Sequence, residues 1–142
     1  MVDEVMKALR SIVAILILAA GGCDASGPPI RFIVPNGFKG KFDIIQDPKS
    51  GVVLTNRGGT LTCVVPPTGQ LHVRSLKPFG KWHSETASYA DGTALLLQAD
   101  TSLPQADTSS ISLFSLGSFA SGSTQGVSYL VGTSAEFRAF RY

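Results

Sequence analysis

Cys63, His72 and His83 carry the most reactive side chains in the interior of this sequence. They lie nine and eleven residues apart, and no two of them form a close pair. Structural zinc sites take three or four ligands, usually in closely spaced pairs. A nucleophilic cysteine needs a base and an accessible, electropositive setting, whereas Cys63 lies in an apolar run that predicts a buried thiol. We therefore expect no metal site and no cofactor.

Carboxylates and serines make no stronger case for catalysis. Glu85 and Asp91 flank Tyr89 in a predicted loop, where paired carboxylates could do acid–base work. However, Asp91-Gly92 is typical of a solvated turn. Serines are abundant, yet the sequence has no Gly-x-Ser-x-Gly, the motif that presents the nucleophile of many hydrolases. We predict that the chain is not an enzyme and has no catalytic residues; the alternative is an enzyme or metal-binding protein with an unrecognised site.

Residues 78–83 crowd two aromatic rings, a cation and a histidine between predicted strands. Exposed aromatic side chains on loops stack on sugars or anchor protein partners, and loops carry function more often than strands do. Phe79, Trp82 and His83 are therefore the predicted binding residues. In the alternative interpretation, Phe79 and Trp82 cover one end of the core.

The elements that must position these residues follow an N-terminal export signal. Residues 12–20 are an unbroken apolar run, preceded by Lys7 and Arg10 and followed by small residues. These are the three parts of a secretory signal, and the run is about half the length that a membrane-spanning helix needs. The pattern predicts a signal peptide at residues 1–22. Asp3 and Glu4 fit such a leader poorly, and a translation start at Met6 would remove both.

The residues that end this leader resemble the lipobox of bacterial lipoproteins. Small residues at positions 20–22 precede Cys23, and in that family the cysteine accepts diacylglycerol and becomes the first residue of the mature chain. The match departs from the family at Ala20, where leucine is usual. The resemblance implies lipidation at Cys23 and a bacterial membrane anchor, with the domain facing the periplasm or the exterior. If Cys23 is not lipidated, export permits a disulfide between Cys23 and Cys63.

The remaining 120 residues suffice for one domain with a real core. Without the two cations and two acids of the leader, they hold ten Lys and Arg and eight Asp and Glu, scattered along the chain. Nucleic-acid-binding domains cluster their cations on one face. We therefore expect no nucleic-acid partner.

Short alternating runs between turn residues predict an all-β domain over residues 31–142, after a lipidated tether at 23–30. An Asn56-Arg57-Gly58-Gly59 hairpin loop is predicted, and residues 98–110 and 118–125 are predicted loops. Thr133 and Glu136 match a capping box that begins a short helix containing Phe137 and Phe140. The expected fold is a small antiparallel β-sandwich, or a small barrel, with a short C-terminal helix. The predicted strands are residues 31–34, 41–46, 52–55, 60–65, 70–76, 94–98, 111–116 and 127–131.

Three segments resemble a family of short, uncharacterised bacterial lipoproteins. Residues 33–40 resemble the family's opening strand, followed by proline and Gly-aromatic-x-Gly, and residues 65–71 and 129–136 resemble two later elements. The resemblance implies a transthyretin-like or carboxypeptidase-regulatory-type β-sandwich and carries over no functional residues. The expected function is a membrane-anchored, non-catalytic binding or structural module of the cell envelope, with an envelope protein or polysaccharide as its partner.

Overall fold

The computed structural model describes residues 26–98 and 110–141. The predicted signal peptide and Cys23 lie outside these residues, as does most of the predicted loop at 98–110. The described residues form nine strands, one 3-10 turn at Lys77–Gly80 and one helix. These are β1 (Ile30–Val34), β2 (Gly40–Gln46), β3 (Thr55–Arg57), β4 (Thr60–Val64), β5 (Gln70–Val73), β6 (Glu85–Tyr89), β7 (Ala94–Gln98), β8 (Ser112–Ser121), β9 (Thr124–Gly132) and α1 (Ser134–Arg141).

All nine strands belong to one curled, mixed sheet in the order β3-β4-β1-β6-β7-β8-β9-β2-β5. The pairs β1–β4, β1–β6, β2–β5 and β7–β8 are parallel, and the other four pairs are antiparallel. The prediction of a mostly β domain with a short C-terminal helix is confirmed. The predicted antiparallel arrangement is wrong, and the sheet curls into a half-barrel in place of a sandwich.

The course of the chain after β1 explains the wrong pairing. The turn that contains Gly37, at φ 73°, reverses the chain. However, β2 does not pair with β1. It crosses to the far side of the curled sheet, where Phe32 and Phe42 meet through the interior with ring centroids 5.8 Å apart. The hydrogen-bonding neighbours of β1 are supplied by β4 and β6, which run parallel to it.

The core fills the concave side of the sheet. Tyr129 lies at its centre, stacked on Phe42 at 5.3 Å and tilted against Phe32 at 4.7 Å between ring centroids. Full burial of one large apolar side chain contributes roughly 1.5–3 kcal/mol. The other fully buried apolar side chains of this core are Ile30, Val34, Ile44, Cys63, Val73, Leu113 and Val131.

A second, smaller cluster lies on the outer face of β8 and β9. The capping box is confirmed: Glu136 Oε2 accepts from the Thr133 N–H at 2.8 Å, and Thr133 Oγ1 accepts from the Glu136 N–H at 3.2 Å. The helix that begins there stacks Phe137 on Phe114 at 4.6 Å. Phe140, expected in the same helix, is 53% exposed. No helix within residues 26–98 and 110–141 is long and apolar enough to cross a bilayer.

The observed strand pairing tests several of the local predictions. The hairpin between β3 and β4 is confirmed, with Gly58 and Gly59 at positive φ. The predicted loop at residues 118–125 is wrong, because β8 and β9 continue through it as a hairpin that turns at Gly122. The predicted strand at 52–55 is also displaced, since Val52 makes only an isolated bridge to Val73 before β3 begins.

Gly51 permits a close approach of two backbone segments where β2 ends. Its N–H donates to the Asp47 carbonyl at 2.9 Å, and a Cβ atom at this position would overlap the backbone of Val73 and of Asp47. In the 3-10 turn, a Cβ atom added to Gly80 would have no neighbouring heavy atom within 4 Å.

We predict that Gly51→Ala lowers the free energy of unfolding by about 1–3 kcal/mol, the usual cost of overpacking. Gly80→Ala is the matched control and should change it by less than about 0.5 kcal/mol. Chemical denaturation of both variants measures the difference. Equal stabilities would contradict the close approach at Gly51.

Candidate functional site

The segment between β5 and β6 forms the candidate site. It begins as the 3-10 turn, in which Pro78 suits the first turn because its missing N–H would be unpaired there. The Phe79 N–H donates to the Leu76 carbonyl at 3.0 Å. After this turn the backbone extends through Lys81 and leads into β6 at Glu85.

His83 is held at both ring nitrogens. Its Nδ1 lies 2.6 Å from the Lys81 carbonyl oxygen, and its Nε2 lies 2.9 Å from Glu85 Oε1. Because a carbonyl oxygen only accepts, Nδ1 must carry a proton and donate it. Nε2 faces the Glu85 carboxylate, so each ring nitrogen is engaged by an oxygen atom of the domain. Neither nitrogen is therefore free to accept a proton from a nucleophile, as the histidine of a hydrolase triad must.

The same carboxylate oxygen binds the core. Tyr129 donates its hydroxyl proton to Glu85 Oε1 at 2.9 Å. Burial raises the pKa of Tyr129, and the charge of Glu85 raises it further, so the phenol remains a donor. Glu85 is thus a half-buried member of β6, and its predicted place in a solvated loop is wrong. Asp91, by contrast, lies in the predicted turn, where its carboxylate accepts from the Thr93 N–H at 2.9 Å.

Phe79 and His83 lie together, with the ring of Phe79 edge-on to His83 at 6.2 Å between centroids. Phe79 also lines an open groove of about 430 Å³ between the 3-10 turn and the β8–β9 hairpin. Its walls combine apolar and aromatic surface with a few polar side chains. The lining residues include Leu76, Phe79, Ser118, Phe119, Gln125 and Val127.

Trp82 is separated from the other two predicted binding residues. Its side chain is 84% exposed, so it does not cover the core. Only its backbone joins the fold tightly, because its carbonyl accepts from the Gly27 N–H at 2.7 Å. Phe79 does pack partly against the core, as the alternative interpretation of this loop expected.

The predicted burial of Cys63 is confirmed. Burial raises the pKa of its thiol to about 12, with a contribution from the charge of Glu85. His72 lies elsewhere, with Nδ1 3.8 Å from Asp47 Oδ2. Among residues 26–98 and 110–141, no three His, Cys, Asp or Glu side chains come together as a metal site.

Sequence reasoning missed Tyr129 and the role of Glu85. The available signal was the period-two face of β6, which turns Glu85, Ala87 and Tyr89 to one side. That signal is weak because alanine and serine separate the larger side chains. The partner of Glu85 is 44 residues away in sequence, so no local pattern identifies it.

Comparison with known proteins gives a structural likeness and no sequence match. No family model matches the sequence, and no curated protein matches it. A similar solved structure is the crystal structure of a protein named "Putative Lipoprotein from Bacillus anthracis", with a TM-score of 0.45 and 12% sequence identity. The likeness covers 72% of this chain and 68% of that one.

We predict that Cys63 resists thiol reagents in the folded protein. With a pKa of about 12, only about one thiol in ten thousand is ionised at pH 8, and the thiolate is the reactive form. Labelling of the Cys23→Ser variant with iodoacetamide, followed by mass spectrometry, should show no adduct until guanidinium unfolds the chain. Rapid labelling under native conditions would contradict the buried site.

Proposed function

We propose that this chain is an exported lipoprotein, anchored by acyl chains on Cys23, whose domain is a non-catalytic binding module of the cell envelope. The observation that carries the proposal is how soon the fold begins after the lipobox. The Gly27 N–H already donates to the Trp82 carbonyl, and the Ile30 N–H donates to the Ser84 carbonyl at 2.9 Å. On this proposal, a tether of only a few residues joins the acylated Cys23 to the domain.

A non-catalytic role is favoured by the state of the reactive side chains. Both nitrogens of His83 are occupied by acceptors, and the high thiol pKa of Cys63 keeps it protonated. Glu85 accepts from Tyr129 and contacts His83 through a single oxygen. These contacts hold residues 78–83 against the sheet. The side chains of His83 and Glu85 therefore position this segment.

The groove is the binding surface that the geometry favours. Its volume falls within the range of small-ligand sites. The ring of Phe79 offers an apolar face, while Ser118 and Gln125 bring a hydroxyl and an amide to the same groove. Aromatic faces flanked by such polar groups suit a sugar ring, which is apolar on its faces and polar at its rim. We assign an envelope polysaccharide as the ligand class.

The anchor is tested by intact mass spectrometry of the protein purified from bacterial membranes. We expect the chain to begin at Cys23 and to carry a lipid-sized mass increment, which the Cys23→Ser variant should lack. Acyl chains stabilise membrane association by about 0.8 kcal/mol per buried CH₂, so the variant should also leave the membrane fraction. An unlipidated chain with a Cys23–Cys63 disulfide, two hydrogen atoms lighter than its reduced form, would overturn the proposal.

The groove is tested by cosedimentation with isolated envelope polysaccharide. Phe79→Ala should weaken binding about tenfold, because an aromatic anchor at the centre of a site contributes roughly 1–2 kcal/mol. Phe140→Ala removes an exposed phenylalanine from α1 and should leave binding unchanged. Equal binding by wild type and Phe79→Ala would exclude the groove, and no binding by wild type would exclude the polysaccharide.

A further inference from the structure

The N-terminal segment leaves the domain at one end of the sheet. At this end, here called the anchor end, β1, β4, β6 and β9 begin and the other five described strands finish, as their parallel and antiparallel pairings require. Gly27 is fixed there by its hydrogen bond to Trp82. The surface around Trp82 is therefore the surface nearest to the start of the mature chain.

The tether limits how far that surface can stand from a membrane. Cys23 precedes Gly27 by four residues, and four extended residues span at most about 14 Å. The interfacial region on each side of the hydrocarbon core is roughly 5–7 Å thick. An acylated Cys23 therefore holds the anchor end within a short distance of the headgroups.

Exposed apolar and basic side chains are combined at this end. Trp82, Val53 and Val52 are 84%, 71% and 52% exposed, and Lys77 and Lys81 are exposed beside them. Val52, Val53 and Lys77 line one shallow pocket of about 260 Å³, so the valines and the 3-10 turn form a continuous surface. From there the chain continues through Lys81 to Trp82.

The charge at this end favours an anionic partner. Asp47 and Glu85 are the acids that the described part of the chain places there. Asp47 faces His72, and Glu85 is engaged by His83 and Tyr129. Lys77 and Lys81 lie exposed on the segment between β5 and β6. Tryptophan prefers the headgroup level of a bilayer, and each lysine near an anionic surface contributes roughly 1 kcal/mol.

We propose that Val52, Val53, Lys77, Lys81 and Trp82 form a membrane-contacting foot that rests on the headgroups of an anionic bilayer and fixes the orientation of the domain. The inference rests on the lipid anchor of the proposed function, which supplies the proximity. The 3-10 turn separates the foot from the groove, since Lys77 faces the valines and Phe79 faces the β8–β9 hairpin.

Trp82 reports on its own environment because the sequence contains one tryptophan. The mature chain, residues 23–142, can be coupled through Cys23 to a maleimide lipid in vesicles, and the buried Cys63 thiol should not compete. On vesicles rich in phosphatidylglycerol, we expect Trp82 emission to shift to shorter wavelength and to be quenched by brominated lipid. On phosphatidylcholine alone, both effects should be smaller.

Charge variants test the basic part of the foot without a tether. In the Cys23→Ser mature chain, Lys77→Gln and Lys81→Gln should each weaken sedimentation with phosphatidylglycerol vesicles about fivefold. Lys39→Gln is the matched control, because Lys39 lies at the opposite end of the sheet, where it pairs with Glu136 at 3.2 Å. Equal losses for all three lysines would overturn the foot in favour of general charge attraction.

The foot and the anchor can fail separately. If the Trp82 emission of the coupled protein matches that in solution and is not quenched, the foot is overturned. The exposed indole would then be a candidate contact for a protein partner. This outcome leaves the lipid anchor unaffected. Protein from cells with no lipid on Cys23 overturns the anchor. In that case the coupling of Cys23 to a maleimide lipid still tests whether the foot contacts the bilayer, because the coupling itself brings the domain to the membrane.

Discussion

The hydrogen bond from Tyr129 to Glu85 joins parts of the sheet that are not neighbours. Two strands, β7 and β8, lie between β6 and β9 in the sheet, and the bond crosses the interior to connect them. A buried polar group without a partner costs about 1–3 kcal/mol, so the buried Tyr129 hydroxyl requires the carboxylate. Phe32 and Phe42 contact the phenol ring, which ties the core to the same bond.

Residues 78–83, between β5 and β6, are tied to that hydrogen bond through His83. Glu85 offers one oxygen to both Tyr129 and His83, and His83 in turn contacts the ring of Phe79. A short segment therefore serves two surfaces. Consecutive residues in extended backbone point to opposite sides, so His83 turns toward the domain while Trp82 turns away from it. The groove and the exposed indole follow from one stretch of sequence.

Local features were predictable because their causes are local. The capping box at Thr133, the glycine turn after Arg57 and the buried face around Cys63 depend on residues within a few positions of one another. Strand pairing was not predictable in this way. The turn after Val34 reverses the chain, but only the packing of distant strands decides that β1 pairs with β4 and β6. For the candidate site, residue types suggested Phe79 and His83, whereas the contact between Glu85 and Tyr129 required the fold.

The two edges of the sheet also affect whether neighbouring molecules associate with one another. The edge strand β3 has only three residues, all exposed and ending in Arg57. At the other edge, Val52 exchanges backbone hydrogen bonds with His72 and Arg74, which covers part of β5. Long, unpaired strand edges invite pairing between chains, and attachment to a surface raises the local concentration at which chains meet. Short and covered edges would let many copies crowd a two-dimensional layer without joining into extended sheets.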